Sequence, residues 1–104
     1  MSDQYRVDYT NQVDAEIGKL KYAKRKLLLH WIDKNLHGCS NPEQYGYTLT
    51  NLKSYSYLIG QNILRKNSEA WCYRIDEYHV IAEIRHDLRQ ILILALRSDN
   101  ARSN

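Results

Sequence analysis

The 104-residue chain is long enough for one compact core and too short for two stable ones, so a single domain over 1–104 is expected. Hydrophobic residues make up 43% and charged residues 26%, with no repeat or low-complexity tract, which excludes a disordered chain. The net charge of +3 fits many partners; no secretory signal and no apolar run of roughly 20 residues is visible, so a cytoplasmic chain without a membrane span is expected.

In chain order, Tyr5, Val7 and Tyr9 alternate with Arg6 and Asp8, the period of a half-buried strand running from about Gln4 to Tyr9. Thr10 or Asn11 can cap a following helix, with Asp14 and Glu16 near its positive end. The apolar residues Val13, Ile17, Leu20, Leu27, Leu28, Trp31, Ile32 and Leu36 recur at helical spacing and predict one buried stripe, in which Trp31 reads as core. Whether this is one rod or two helices bent near Leu20–Ala23 stays open on the residues alone. Helical structure must stop around Leu36–Gly38, where Gly38 and then Pro42 cannot continue it. Along this region Lys19, Lys21, Lys24, Arg25, Lys26 and Lys34 face only one acid, Asp33. Such a segment suits phosphate or an acidic protein, the plainer alternative being a solvated helix face.

Residues 43–69 mix strand-like and helix-like spacings and support no assignment. Trp71, Tyr73 and Ile75 alternate with Cys72 and Arg74; Asp76 and Glu77 form a turn; Tyr78, Val80, Ala82 and Ile84 alternate again. That is a hairpin. The unbroken run Ile91–Leu96 predicts a strand buried on both faces and therefore the middle of the sheet, followed by a polar, frayed tail over 97–104. Cys39 and Cys72 are expected to be free thiols. His30, His37 and Cys39 fall short of the four ligands of a closed zinc site, and no phosphate-binding glycine loop is present, so neither a metal nor a small-molecule cofactor is expected.

Three stretches carry a resemblance. The opening YRVDYTNQVDAEIGKL, the segment LLHWIDKNLHGCSNPEQYGYTL over 28–49 and the segment WCYRIDEYHVIAEIRHDLRQILILAL over 71–96 resemble the RelE/ParE superfamily of toxins. In that family an amphipathic second helix ends in Asn-Leu and crosses Asn-Pro, and an aromatic, arginine-rich hairpin precedes a hydrophobic last strand. The resemblance implies an α+β fold: an N-terminal strand, a two-helix hairpin and a three-stranded antiparallel meander in one twisted sheet, with the helices on one face and the core over about 4–96. It also decides for two helices.

The resemblance further implies an antitoxin partner and either of two activities. The first is a ribosome-dependent mRNA interferase, with ribosome and mRNA as partners. Such an endoribonuclease needs a base at the ribose 2′-hydroxyl, an acid at the leaving oxygen and cations around the phosphoryl group. Arg74 matches the second arginine of the family's hairpin; with His79 and Arg97 it is the candidate set for catalysis, and Lys53, Arg102 and the basic set Lys19, Lys21, Lys24, Arg25, Lys26 and Lys34 are the candidates for RNA binding. An imidazole at 79 can move protons where an arginine only stabilises charge. The family's lysine after the glycine is replaced by Tyr47, and its Gly-Asp-Tyr-Arg turn by Asp76, Glu77, Tyr78 and His79. These losses favour the second activity, a non-catalytic or ParE-like member acting by binding the antitoxin or another protein.

Overall fold

A computed structural model describes residues 4–49 and 70–98. Strand β1 (Arg6–Tyr9) leads into helices α1 (Asn11–Gly18) and α2 (Tyr22–Asn35); strands β2 (Tyr47–Thr48), β3 (Ala70–Ile75), β4 (Tyr78–Arg85) and β5 (Gln90–Ser98) follow. The strands form one sheet in the order β1-β5-β4-β3-β2.

The chain does form two helices, and the break falls at Lys19–Lys21. Thr10 is the cap of α1: its hydroxyl accepts the Val13 N–H at 3.2 Å, and Asp14 lies in the first turn. Helix α2 ends at Asn35 with Leu36 as its cap, and Gly38 takes a positive φ of 83°, a conformation that suits glycine. The backbone then doubles back along the start of the chain, with Gly38 N–H donating to Tyr5 O at 2.7 Å and Tyr5 N–H to Cys39 O at 2.9 Å. Tyr5 therefore precedes the strand instead of belonging to it, yet is buried.

Both helices lie on one face of the sheet. Val13, Ile17, Leu28, Ile32 and Leu36 pack with Tyr73, Ile75, Val80, Ile91 and Ile93 in the main core. Burying each such side chain stabilises by about 1.5–3 kcal/mol. The expected stripe is only partly realised: Leu27 is 45% exposed, because Leu28 one position later takes the inward direction. On the second face, Cys72, Ile81, Leu94 and Ala95 form a separate buried cluster with Leu49 and Leu92 against it.

The hairpin lies where its alternation predicts, turning at Asp76–Glu77 with Asp76 at φ 56°, and β3, β4 and β5 form the expected antiparallel meander. Three features differ from expectation. Strand β1 pairs with β5 in parallel, Val7 opposite Ile91, so the sheet is mixed. Flanked by β1 and β4, β5 is interior as its apolar run predicts, but the middle position belongs to β4. Its pairing also continues through Arg97 and Ser98, inside the polar stretch expected to fray.

Strand β5 carries a bulge. Ile81 faces Ala95 and Ala82 faces Ile93, leaving Leu94 as the extra residue. Beyond Ile93, β1 no longer covers this strand, and α1 takes over: the Thr10 hydroxyl donates to Leu94 O at 3.3 Å and the Glu16 carboxylate accepts the Leu96 N–H at 3.1 Å. These bonds satisfy edge groups that would otherwise cost free energy if buried unpaired.

Candidate functional site

The bulge decides where Arg97 goes. Side chains alternate along a strand, so uninterrupted pairing from Ile91 would put residue 97 on the helix face. The extra residue shifts the phase: Leu96 faces Val80 on the helix side, and Arg97 faces His79 on the other. His79 in turn faces Arg74 across the β3–β4 pair. Arg74, His79 and Arg97 therefore form one row across three adjacent strands, where directly opposed residues have Cβ atoms about 4.5–5.5 Å apart. Arg74 and Arg97 are exposed and His79 is half-buried. Tyr47, opposite Cys72, stands on the same face and diagonal to Arg74, 48% exposed.

Gly46 lets β2 reach that position. A Cβ there would stand 2.8 Å from the Tyr73 ring and 3.0 Å from Cys72 O, so only glycine allows the loop to lie against β3. The Tyr73 hydroxyl donates to Pro42 O at 2.5 Å, and its ring borders Trp31, half-buried as a core-edge residue. Burial pushes the Tyr73 phenol far above its usual range, which keeps it a neutral donor.

The basic segment lies elsewhere. Lys19 closes α1, Lys21 opens α2 and Lys34 lies in the last turn of α2, on the helix side of the sheet. Lys24 is tied to Asp76 at 2.8 Å, which raises the lysine pKa and holds the carboxyl below its usual range. Arg25 donates to Gly18 O at 3.3 Å, and Arg25 and Lys26 both lie near the Tyr22 ring. The two cationic groups proposed from the sequence thus occupy opposite faces of the sheet. Lys53 and Arg102 lie outside the described residues.

Two polar clusters were not anticipated from the sequence. Glu83 is fully buried on the second face and accepts from Arg85 at 3.0 Å; Arg85 reaches Gln90 at 3.5 Å, Gln90 donates to Asp8 at 2.7 Å, and Arg6 donates to the same carboxylate at 2.9 Å. Gln90 and Arg6 together hold the Asp8 carboxyl below its usual range. At the same end of the sheet, His86 bridges the Tyr5 hydroxyl at 2.6 Å and Glu43 at 3.3 Å, and Arg89 donates to that hydroxyl at 3.3 Å. Both join segments distant in sequence, so no local pattern announces them.

His37 accepts the Val7 N–H at 3.3 Å, and burial raises the Cys39 thiol, which stays protonated. Among the described residues no three His, Cys, Asp or Glu side chains are placed to hold a metal ion, and Cys39 and Cys72 are free thiols. No helix among them is long and apolar enough to cross a membrane.

No protein-family model matches the sequence, and no curated protein is significantly similar to it. Solved structures do match. The archaeal RelE-RelB complex from Pyrococcus horikoshii OT3 contains a chain with TM-score 0.65 and 19% identity, covering 96% of this chain and 99% of that one. The chain has the RelE fold. The toxin-antitoxin complex RelBE2 from Mycobacterium tuberculosis matches with TM-score 0.65 and 14% identity, each chain 91% covered. In this RelE fold the row Arg74–His79–Arg97 lies on the sheet face away from the two helices.

Proposed function

We propose that the chain is a cytoplasmic toxin of a toxin-antitoxin system that cuts ribosome-bound mRNA on the second face of its sheet. The observation that carries this reading is the register that makes Arg74, His79 and Arg97 cross-strand neighbours. His79 would take the proton of a ribose 2′-hydroxyl as that oxygen attacks phosphorus. The guanidiniums of Arg74 and Arg97 would hold the charge building on the phosphoryl oxygens while the 5′-oxygen leaves and is protonated from solvent. Lys53 and Arg102, with Lys19, Lys21 and Lys34, would add contacts to ribosomal RNA. The partners named in the two matching complexes support an antitoxin for this chain as well.

Induced expression tests the reading. Growth should arrest with mRNA cut on the ribosome, and His79→Ala should lower cleavage by about 10²–10⁴-fold, the usual worth of a positioned acid or base. Circular dichroism of the purified variant should be unchanged. A second reading, action by binding without cutting, is favoured by Tyr47, which stands where the family carries lysine. It predicts arrest with intact mRNA, unaffected by His79→Ala.

A further inference from the structure

The cleavage proposed for the row Arg74–His79–Arg97 leaves the departing 5′-oxygen to draw its proton from solvent. An alkoxide leaves poorly, and a positioned acid at such an oxygen is worth about 10²–10⁴-fold in rate. The same face of the sheet holds a side chain that can supply the proton. Tyr47 faces Cys72 on β3, which makes it the diagonal neighbour of Arg74, and it is 48% exposed. Diagonal neighbours on one face lie about 7–8 Å apart, within reach of aromatic and long side chains.

The order of the strands gives this neighbour a chemical side. Arg74 stands on β3, with His79 of β4 on one flank and Tyr47 of β2 on the other. In displacement at phosphorus the attacking and leaving oxygens lie roughly in line, on opposite sides of the phosphoryl group. A phosphoryl group gripped by Arg74 would therefore meet an imidazole on one side and a phenol on the other. Their roles follow from their chemistry: a neutral imidazole can take a proton, whereas a phenol carries its own and can give it. Cys72 and Glu83 share this face but are fully buried, and Glu83 lies two rows from Arg74, bonded to Arg85. The backbone around Tyr47 is held on both sides. Tyr45 sets its ring edge to Trp31 at 5.9 Å, Gly46 lies against the Tyr73 ring, and the Leu49 N–H donates to Ala70 O at 2.9 Å. A donor on a segment so constrained keeps its place as substrate arrives.

From this placement we infer that Tyr47 is the general acid of the cleavage, an inference that rests on the reading of the row as a nuclease site. As the 2′-oxygen bonds to phosphorus and loses its proton to His79, the bond from phosphorus to the 5′-oxygen breaks and the phenol proton passes to that oxygen. The products are a 2′,3′-cyclic phosphate and a 5′-hydroxyl. The imidazolium then gives one proton to water and the phenolate, beside the Arg74 guanidinium, takes one back. Tyrosine in place of the family's lysine thus exchanges one proton carrier for another instead of ending catalysis.

The test uses the whole chain and a defined mRNA on purified ribosomes, with the cleaved bond mapped first. The same mRNA is then synthesised with sulfur in place of the 5′-oxygen of that bond, because a thiolate leaves without needing a proton. Tyr47→Phe keeps the ring and removes the acid. It should slow single-turnover cleavage of the oxygen mRNA by about 10²–10⁴-fold and that of the sulfur mRNA by about tenfold or less. His79→Ala should slow both mRNAs alike, since the 2′-hydroxyl must lose its proton in either. Equal slowing of the two mRNAs by Tyr47→Phe would assign the ring to stacking or positioning and overturn the inference. So would undiminished cutting of the oxygen mRNA by that variant, and in both cases the nuclease reading stands. If the unaltered chain leaves mRNA on the ribosome intact, the nuclease reading itself falls and the acid falls with it.

Discussion

Helices α1 and α2 follow one another in the chain and are built for different purposes. Helix α1 is eight residues long, capped by Thr10, carries Asp14 at its positive end and turns Val13 and Ile17 into the core. Helix α2 is fourteen residues long, opens on an uncapped lysine and leaves three large apolar side chains in solvent. Cap and charge add to the packing of Val13 and Ile17 in the first, whereas the packing of Leu28, Ile32 and Leu36 holds the second in spite of its own amino end. A helix that departs from the favoured arrangement at the surface while keeping its inner face intact is a place to look for binding.

Substitutions sharpen this contrast. Ile32→Ala, on the inner face of α2, should destabilise by about 2–5 kcal/mol and lower the midpoint of urea unfolding at unchanged slope. Thr10→Ala should cost about 1–2 kcal/mol by the same measurement, because it removes both the cap and the bond to Leu94 O. Lys21→Asp should raise stability by about 0.5–1 kcal/mol, supplying the cap and the negative charge that α2 lacks, and a lower thermal midpoint would show that this end is not deficient.

The smallest effect is acid sensitivity. Asp8 and Asp76 have carboxyl pKa values below the ordinary range in the folded chain, so each contributes stability present above the unfolded value near 3.8 and lost as pH falls through the folded value. Both sit near the surface, where pairs are weak, so unfolding midpoints followed from pH 6 downward should decline only below about pH 4. A decline beginning near neutrality would point to histidine instead.

Much of the fold was legible in the sequence because it rests on local periodicity: the alternation of Trp71–Ile75 and Tyr78–Ile84, the apolar run of β5 and the Thr10 cap each specify their element. What was illegible rests on contacts between distant segments. The two-residue β2 depends on Gly46 lying against Tyr73, and the parallel pairing of β1 with β5 has no signature in either strand. Leu27 and Leu28 are adjacent leucines, so composition could not say which faces outward. For the candidate site, resemblance supplied the names Arg74, His79 and Arg97, and register supplied their adjacency. Tyr47 was visible only as a missing lysine, because its place on the same face follows from pairing with Cys72.

The extra residue Leu94 makes chain length a sensitive variable near the end of β5. Deleting one residue between Ile93 and Leu96 would rotate everything downstream by half a turn of the pleat, turning the guanidinium at 97 toward the helices while leaving composition almost untouched. Two chains sharing the same three polar side chains would then present different chemistry to the same solvent face. Comparisons among divergent relatives of this architecture should therefore count residues in the last strand before they compare their identities.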